Sequence, residues 1–566
     1  MWRVAGRALA VFVLIAGSFA VAPPAQAAPV PPPGRIAEDP IAHDPTIIKQ
    51  GRYYYSFITG DIATRTYLPM RRSADLRNWT DLGVVFSTAP AWITAELGVT
   101  PGDFWAPDIT YFGGKYHLYY AASSFGTNNS VIGLATNDTL DPASPRYRWV
   151  DQGLVLRSST PDNFNAIDPE VVLDGGQAWL AFGSFWDGIK MRKLDRRTGK
   201  PDPADTTLYS LASRGGASIE NPAIVKRGGY YYLFVSFDFC CRGVNSDYRV
   251  AVGRSSSLTG PYLDRAGVPM LSGGGTELLR GYHEFRGTGG GDVIGNDYFA
   301  HHYYDLYDEA LPKLSVRPIS WSRGWPSLRD PLSGSRAVGH GPAYVTLVNR
   351  ADGSVVSNST CGYEGADIRL EAPTGGPCEQ WRPDERGDGW VSLGNKHSNK
   401  VAEVAACIDA DGARVAQWGW LNNNCQQFRF LPAVAGWHTV ESRLNGKVLQ
   451  GADCGGAGTA VQTMAPSGAA CQQFRVQPVG EVLLADQGGR LVLDGCGRTA
   501  ANRPYRGGDC QTWQFRHVAD GFYRIVNGRT GRALDGTQWR IETIPAGGHR
   551  LVSRAGDARV VNLETP

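Results

Sequence analysis

The chain carries no surplus of basic charge. Lys and Arg number 56 against 54 Asp and Glu, a formal charge of +2 over 566 residues. No broad basic face exists to neutralise phosphates, which excludes a nucleic-acid partner. Long apolar runs are also missing after the N-terminus. The one such run, Ala8 to Ala22, is shorter than the roughly 20 residues that span a bilayer. With Arg3 and Arg7 before it and Ala25-Gln26-Ala27 after it, residues 1–27 are expected to be a cleaved signal peptide. The mature protein is then expected to be secreted, extracellular and free of the membrane. Helical periodicity is absent between residues 35 and 330, which argues against a parallel α/β sheet. There is no Ser-His-Asp pattern and no metalloprotease motif. The Gly-rich segment Gly287 to Asp292 lacks the strand-to-helix context of a dinucleotide site.

Cysteine is plentiful. Eight of the ten fall as four close pairs, Cys361/Cys378, Cys407/Cys425, Cys454/Cys471 and Cys496/Cys510. One pair per C-terminal repeat suggests one local disulfide per repeat in an oxidising compartment. Zinc is the weaker reading, because the pairs lack tight spacing. Cys240 and Cys241 are adjacent, and the sequence leaves open whether they bond to each other. Aromatics include 16 Trp and 24 Tyr. Sugars stack on such rings, although β cores use them too. Only 19% of residues are charged and 42% are hydrophobic, so the chain folds, and it is too long for one core.

Two repeats organise it. In the first part, an acid or amide, a proline and a β-branched pair lead to a Gly turn and an aromatic strand. The copies begin at Asp44-Pro45, Pro107-Asp108, Asp168-Pro169 and Asn221-Pro222, and a degraded fifth ends at Tyr298-Phe299. Each is a strand, a tight turn and a second strand. Five such hairpins, roughly 50–65 residues apart, predict an all-β, five-bladed β-propeller over 28–330. A β-sandwich would not explain one recurring phrase per blade. Residues 331–343 read as a linker. The second repeat is marked by Gln-x-aromatic or its variant, at Gln380-Trp381, Gln426-Gln427-Phe428, Gln472-Gln473-Phe474 and Gln511-Thr512-Trp513. Three units close a β-trefoil over 344–478. Residues 479–566 supply a fourth and fifth unit, possible material for an incomplete second trefoil.

Blade repeats place equivalent residues at equivalent heights around a central channel. The acids of the phrase, Asp44, Asp108, Asp168 and, one position before Asn221, Glu220, should converge there. Converging carboxylates suit glycosidic hydrolysis: one activates water, one protonates the leaving oxygen, and like charge keeps the acid protonated. A single Asp-Pro is more simply a turn that opens a strand. Asp108 follows its proline and reads as structural.

These residues resemble the family 43 glycoside hydrolases, and their arabinanase branch in particular. The likeness rests on His43-Asp44-Pro45, Phe104-Trp105-Ala106-Pro107-Asp108, Asn165-Ala166-Ile167-Asp168-Pro169-Glu170 and Gly183-Ser184-Phe185-Trp186. It continues through Ile219-Glu220-Asn221-Pro222, Phe237-Asp238-Phe239-Cys240-Cys241-Arg242-Gly243 and His302-Tyr303-Tyr304-Asp305. The resemblance implies an inverting hydrolase with Asp44 as general base, Glu220 as general acid and Asp168 raising and orienting that acid. It also implies that His302 helps to hold a calcium ion, largely through water; His301 beside it leaves the register open. Asn221 stands where the family has a small residue, and Gly287 to Asp292 departs from the family's sequence. Trp105, Asn165, Ser184 and Trp186 are candidate sugar contacts, with core packing the alternative for both tryptophans. The later repeats resemble ricin-type lectins. Glu403 with Trp418 or Trp420, and Asp494 with Tyr505, are their candidate sugar-binding residues; repeat three has Gln450 where the acid would lie.

The expectation is a monomeric endo-α-1,5-L-arabinanase acting on plant cell-wall arabinan. Its rivals are an exo-acting arabinofuranosidase or β-xylosidase of the same fold, and a lectin with an inactive propeller. The intact set of Asp44, Asp168 and Glu220 argues against the last.

Overall fold

The computed structural model describes residues 39–564, apart from 283, 307, 334–341, 363, 387–388, 435, 487–490, 507, 520 and 544–548. The expected signal peptide lies outside the described residues. Up to Leu328 the chain forms five antiparallel sheets. The first holds β1 (Thr46–Gln50), β2 (Tyr53–Phe57), β3 (Tyr67–Ser73) and β4 (Trp79–Phe86). The second holds β5 (Trp105–Phe112), β6 (Lys115–Ser123), β7 (Ser130–Asn137) and β8 (Val150–Ser158). The third holds β9 (Glu170–Asp174), β10 (Gln177–Phe182), β11 (Ile189–Asp195), β12 (Lys200–Pro201) and β13 (Tyr209–Ala212). The fourth holds β14 (Ile219–Arg227), β15 (Tyr230–Phe237), β16 (Arg249–Ser255) and β17 (Thr276–Arg280). The fifth holds β18 (Phe285–Ile294), β19 (Tyr298–Asp305), β20 (Pro312–Ser322) and β21 (Trp325–Leu328). One short helix, Ala91–Leu97, joins the first two sheets.

The first strands of the sheets form a closed circle. β1 neighbours β5 and β18, β5 neighbours β9, β9 neighbours β14, and β14 neighbours β18. This is the five-bladed propeller. The segment ahead of β1 closes it by pairing with the last blade: Ala42 N–H donates to Pro312 O at 3.0 Å, and Leu314 N–H to Pro40 O at 2.8 Å.

Each inner strand is entered through a residue of left-handed backbone. These are Asp44 (φ 46°), Ala106 (39°), Asp168 (54°), Asn221 (52°) and Gly290 (56°). Proline follows the first four. The structure thus corrects the register read from sequence. Asp44 and Asp168 are equivalent, Glu220 lies one residue before its blade's left-handed position, and Asp108 lies two residues beyond.

The residues two positions on form a lower layer that staples blade to blade. Thr46 Oγ1 accepts from Ile109 N–H at 3.4 Å, Asp108 Oδ2 from Val171 N–H at 2.8 Å and Glu170 Oε1 from Ile224 N–H at 2.8 Å. Asp292 Oδ2 accepts from Thr46 Oγ1 at 2.9 Å and Ile47 N–H at 3.2 Å. Burial drives the Asp108 and Glu170 carboxyls well above their usual range, assisted by repulsion within the layer, and raises Asp292 as well. Asp108 is therefore structural, as its position after proline suggested.

Beyond the propeller, twelve strands between Val345 and Pro478 join one sheet. The rings of three repeat phrases, Trp381, Phe428 and Phe474, are fully buried at its centre. This is the ricin-type trefoil. A further eight strands between Glu481 and Glu564 close on themselves through Leu483↔Glu564, around Trp513, Tyr523 and Trp539. Pro342 and Ala343 pair with its last strand. The four repeat cysteine pairs are disulfides, and Cys240 is bonded to Cys241.

The trefoil packs on blade four through buried charge. Asp238 accepts from Arg249 Nε at 2.7 Å, Arg214 Nη1 at 3.0 Å and, from the trefoil, Asn399 Nδ2 at 2.7 Å. Burial alone would raise this carboxyl, but Arg249, Arg214 and Lys400 hold it well below the usual range. Nearby, Glu277 pairs with Arg249 and Arg280, and Tyr344 OH reaches it at 3.5 Å. Arg382 Nη2 donates to Gly281 O at 2.8 Å.

The staple layer predicts a stability effect. Asp292→Ala removes the acceptor for Thr46 and Ile47 and should cost about 1–3 kcal/mol in denaturant unfolding, with Asp292→Asn costing less. Equal stability of Asp292→Ala and wild type would show that the staple contributes nothing.

Candidate active site

The left-handed entry residues turn side chains into the mouth of the channel. Asp44 Oδ2 accepts from Thr59 Oγ1 at 2.7 Å and lies 2.7 Å from His43 Nδ1. Its Oδ1 lies 3.4 Å from His302 Nδ1, and its own N–H donates to that nitrogen at 3.2 Å. The His43 and His302 rings stack at 3.9 Å. His43 Nε2 meets Tyr304 OH at 2.8 Å. Asp44 keeps 15% of its side chain exposed, so water can reach it.

Asp168 Oδ2 accepts from Asn221 N–H at 3.1 Å, which links blade three to blade four. Glu220 Oε2 accepts from Ser184 Oγ at 2.6 Å, and Tyr248 also hydrogen-bonds this carboxyl. Asn221, the departure from the family's small residue, donates through Nδ2 to Gly291 O at 2.8 Å. It thereby ties blade four to blade five.

The three carboxyls fall into two electrostatic classes. Burial pushes Asp44 upward, but the His43 charge and the hydrogen bonds from His302 and His43 outweigh it and hold Asp44 well below the usual range. His43 is the partner of that pair: burial opposes its charge, yet Asp44 raises it to about 10. Asp168 goes the other way. Burial lifts it far above its usual range, and repulsion from Glu220 and then Asp44 adds to this. Glu220 is also raised, by burial first, with Ser184 and Tyr248 opposing. The channel therefore sets one carboxyl that is held low, Asp44, beside two that are raised, Asp168 and Glu220. One base beside one acid is the division that acid–base chemistry requires.

The other candidate contacts separate. Ser184 touches Glu220 directly. Trp105 is half-buried, with Nε1 donating to Asp103 Oδ1 at 3.0 Å. Its neighbour Ala106 donates to Thr59 Oγ1 at 2.8 Å, which places it next to Asp44's support. Trp186 is half-buried on the loop that carries Ser184. Asn165 is buried and accepts from Ser130 Oγ at 2.6 Å, so its carbonyl is committed inward. The histidine register is resolved: His301 turns into the blade, where Arg317 Nε donates to it at 3.0 Å, and His302 faces Asp44.

In the trefoil, Glu403 is buried and accepts from Gln426 Nε2 at 2.8 Å. Trp420 is buried beneath the Arg386 guanidinium, 4.0 Å from its ring. Trp418 is 42% exposed. Asp494 lines a cavity of about 130 Å³ with Gly497, Thr499, Ala501, Arg503 and Arg506. Tyr505 instead packs against Leu483, Ala485 and Val492.

Sequence reasoning assigned no role to His43, Thr59, Tyr248, Tyr304 or Gly290. His43 and Tyr304 stood inside motifs already singled out. Gly290 carried a signal too, because it occupies the fifth left-handed position and a Cβ there would collide with Asp44 Oδ1 and the His302 ring. Tyr248 belongs to no recurring phrase and had no signal.

Comparisons with known proteins agree with this geometry. Residues 39–326 match the model of Glycosyl hydrolases family 43, and residues 336–418 and 424–506 match the Ricin-type beta-trefoil lectin domain-like model. The chain is 46% identical over 294 residues to Extracellular endo-alpha-(1->5)-L-arabinanase 1 of Bacillus subtilis, covering 51% of this chain and 88% of that protein. It is 40% identical over 304 residues to Extracellular exo-alpha-(1->5)-L-arabinofuranosidase ArbA of Cellvibrio japonicus, covering 51% and 86%. Among solved structures, native Bacillus subtilis Arabinanase Arb43A is 47% identical, covers 51% of this chain and 97% of that one, and has a TM-score of 0.47.

The coupling of Asp168 to Glu220 is testable by titration. Glu220→Gln removes the like charge that raises Asp168, so Asp168 should ionise at a lower pH, read from its carboxyl signal in a labelled sample. An unmoved Asp168 transition would show that Glu220 does not raise it.

Proposed function

The chain belongs to glycosyl hydrolases family 43, and we propose that it is a secreted, inverting endo-α-1,5-L-arabinanase whose lectin-type repeats bind its polysaccharide. The observation that supports this best is the convergence of three carboxyls at one channel mouth, with Asp44 2.7 Å from His43 Nδ1, Glu220 accepting from Ser184 at 2.6 Å and Asp168 accepting from Asn221 N–H at 3.1 Å. Residues 28–330 are the hydrolase, and 344–478 and 479–566 are the carbohydrate-binding part. The five disulfides and the relatives named as extracellular support secretion.

In the reaction, Asp44 takes a proton from a water as its oxygen attacks the anomeric carbon. The bond to the leaving oxygen breaks, and that oxygen takes its electron pair and the proton of Glu220. Attack from the face opposite the leaving group inverts the anomeric centre. His43, His302 and Thr59 fix Asp44 in its ionised form. Ser184 and Tyr248 orient Glu220, and Asp168 keeps the proton on the pair. Trp105 and Trp186 are the rings against which the sugar stacks.

Calcium is the one added group this reading includes. His302 Nε2 is buried without a hydrogen-bond partner among the described residues; because Nδ1 accepts from Asp44 N–H, Nε2 carries the ring proton, which fits donation to a water in an ion's shell. The cluster His43, Asp44 and His302 offers one carboxylate, whereas calcium takes six to eight oxygens. His302 would therefore hold the ion largely through water. Its charge, when bound, would further favour ionised Asp44.

The test is hydrolysis of debranched α-1,5-arabinan with products separated over time. Mixed oligosaccharides at early times are expected. Arabinose alone from the start would mean exo action, as the Cellvibrio japonicus relative's name describes, and no product would leave a binding protein. Glu220→Gln should lower turnover by about 10²–10⁴-fold, with a smaller loss on substrates whose aryl leaving group needs no proton. Asp44→Asn should lose both equally.

A further inference from the structure

The trefoil meets the propeller beside the channel mouth, on the loop between β15 and β16. That loop carries Asp238, Phe239, the Cys240–Cys241 disulfide and Tyr248, the hydrogen-bond partner of Glu220. Asn399 fixes it from the trefoil side, with Nδ2 on Asp238 Oδ2 at 2.7 Å and on Asp247 O at 3.4 Å. The loop is also braced internally, Phe239 N–H donating to Asp247 Oδ1 at 2.9 Å.

A continuous path of side chains leaves the channel across this contact. Phe185, next to Ser184, lies 5.8 Å from the Phe239 ring. Lys400 of the trefoil stands over the other part of that path, Nζ 5.7 Å from the Phe239 centroid. Lys400 Nζ lies 3.9 Å from Glu364 Oε1. Glu364 in turn accepts from Gly419 N–H at 3.1 Å, beside Trp418. The Trp418 ring rests at 3.8 Å from the position a Cβ would take on Gly365, and Val401, the residue after Lys400, is its cross-strand partner. Trp418 is the exposed tryptophan at the far end, and its neighbour Trp420 is buried. Lys400 is itself buried and braces this path, while the exposed Trp418 ring offers a face on which a sugar can stack and the exposed Glu364 carboxylate an acceptor for its edge.

We propose that Phe185, Phe239, Glu364 and Trp418, braced by the buried Lys400, form one composite subsite, shared by propeller and trefoil, that holds the arabinan chain after it leaves the catalytic channel. The trefoil is then part of the substrate cleft and not an independent tether. A flexibly tethered lectin raises effective concentration without extending the site; a docked one adds contacts to a single bound chain. The inference rests on the reading of the channel as arabinan-cleaving.

Full-length Trp418→Ala, with Trp418→Tyr as the conservative variant, tests it by KM on debranched arabinan and on arabinotriose. The ratio of the polymer KM to the trisaccharide KM should rise roughly five- to tenfold in Trp418→Ala and recover in Trp418→Tyr. Calorimetry in the Glu220→Gln background should find the long arabino-oligosaccharide of the channel bound more weakly once Trp418 is also replaced, with no binding event lost. An unchanged KM ratio would overturn the composite subsite. So would a second oligosaccharide bound independently, with loss of Trp418 abolishing only that event. If the wild type does not cleave arabinan at all, the functional reading fails first. If it cleaves and the ratio stays fixed, only the subsite fails.

Discussion

Left-handed backbone at the entry to each inner strand is the constraint on which the propeller site depends. An L-residue at positive φ costs about 1–2 kcal/mol, yet Asp44, Ala106, Asp168 and Asn221 all sit there. The proline that follows each of them presets its own φ and gives up an N–H that the bulged start of the strand does not use. Ladder pairing is broken at these starts, between Trp105 and Asp108, Glu220 and Ala223, and Gly289 and Asp292. A bulge re-aims a side chain that regular pleating would turn elsewhere. The strain is held in place by the layer just below, where side chains accept N–H groups of the next blade. The channel carboxyls and the staples are thus two outputs of one local geometry.

That geometry also explains how similar carboxyls are shifted in opposite directions. All three are deep in the channel, and burial disfavours their charge. Asp44 escapes because His43 is its sequence neighbour and pairs with it directly. Asp168 and Glu220 have no cationic neighbour of that kind among the described residues and face each other instead. Their mutual repulsion means that the proton belongs to the pair, with titration steps that neither residue owns alone.

The recurring proline phrase made five blades legible, because each blade must solve the same entry problem and the solution leaves the same residues in the sequence. Asp44 and Asp168 were legible for the same reason. Glu220 was found although it stands one residue off, since the proline of its blade marked the place. Height was not legible: Asp108 looked equivalent to Asp44, and only the left-handed register puts it in the staple layer. His302 could not be separated from His301 without knowing which face of β19 meets the channel, a question of strand parity. Tyr248 reaches Glu220 from a loop whose path is set by its neighbours and by no periodic pattern. In the trefoil, the repeat rings at Trp381, Phe428 and Phe474 fill the core. The contrast between exposed Trp418 and buried Trp420 depended on Arg386, far away in sequence.

The contact between trefoil and propeller is directional. Asp238 is shared by Arg214 and Arg249 of blade four and by Asn399 of the trefoil, and the Glu277 cluster repeats the arrangement at Arg280 and Tyr344. Buried charges of this kind add little net stability over an apolar contact, but breaking one is costly because its partner is left uncompensated. Sliding the trefoil would leave Asp238 short of a donor, so the pairing selects one orientation over others of similar area. That orientation sets Lys400 over Phe239. A hydrophobic interface of equal size would have allowed the trefoil to shift, and with it the loop that presents Tyr248 to Glu220. Fixing the lectin and fixing the acid are consequences of the same buried aspartate.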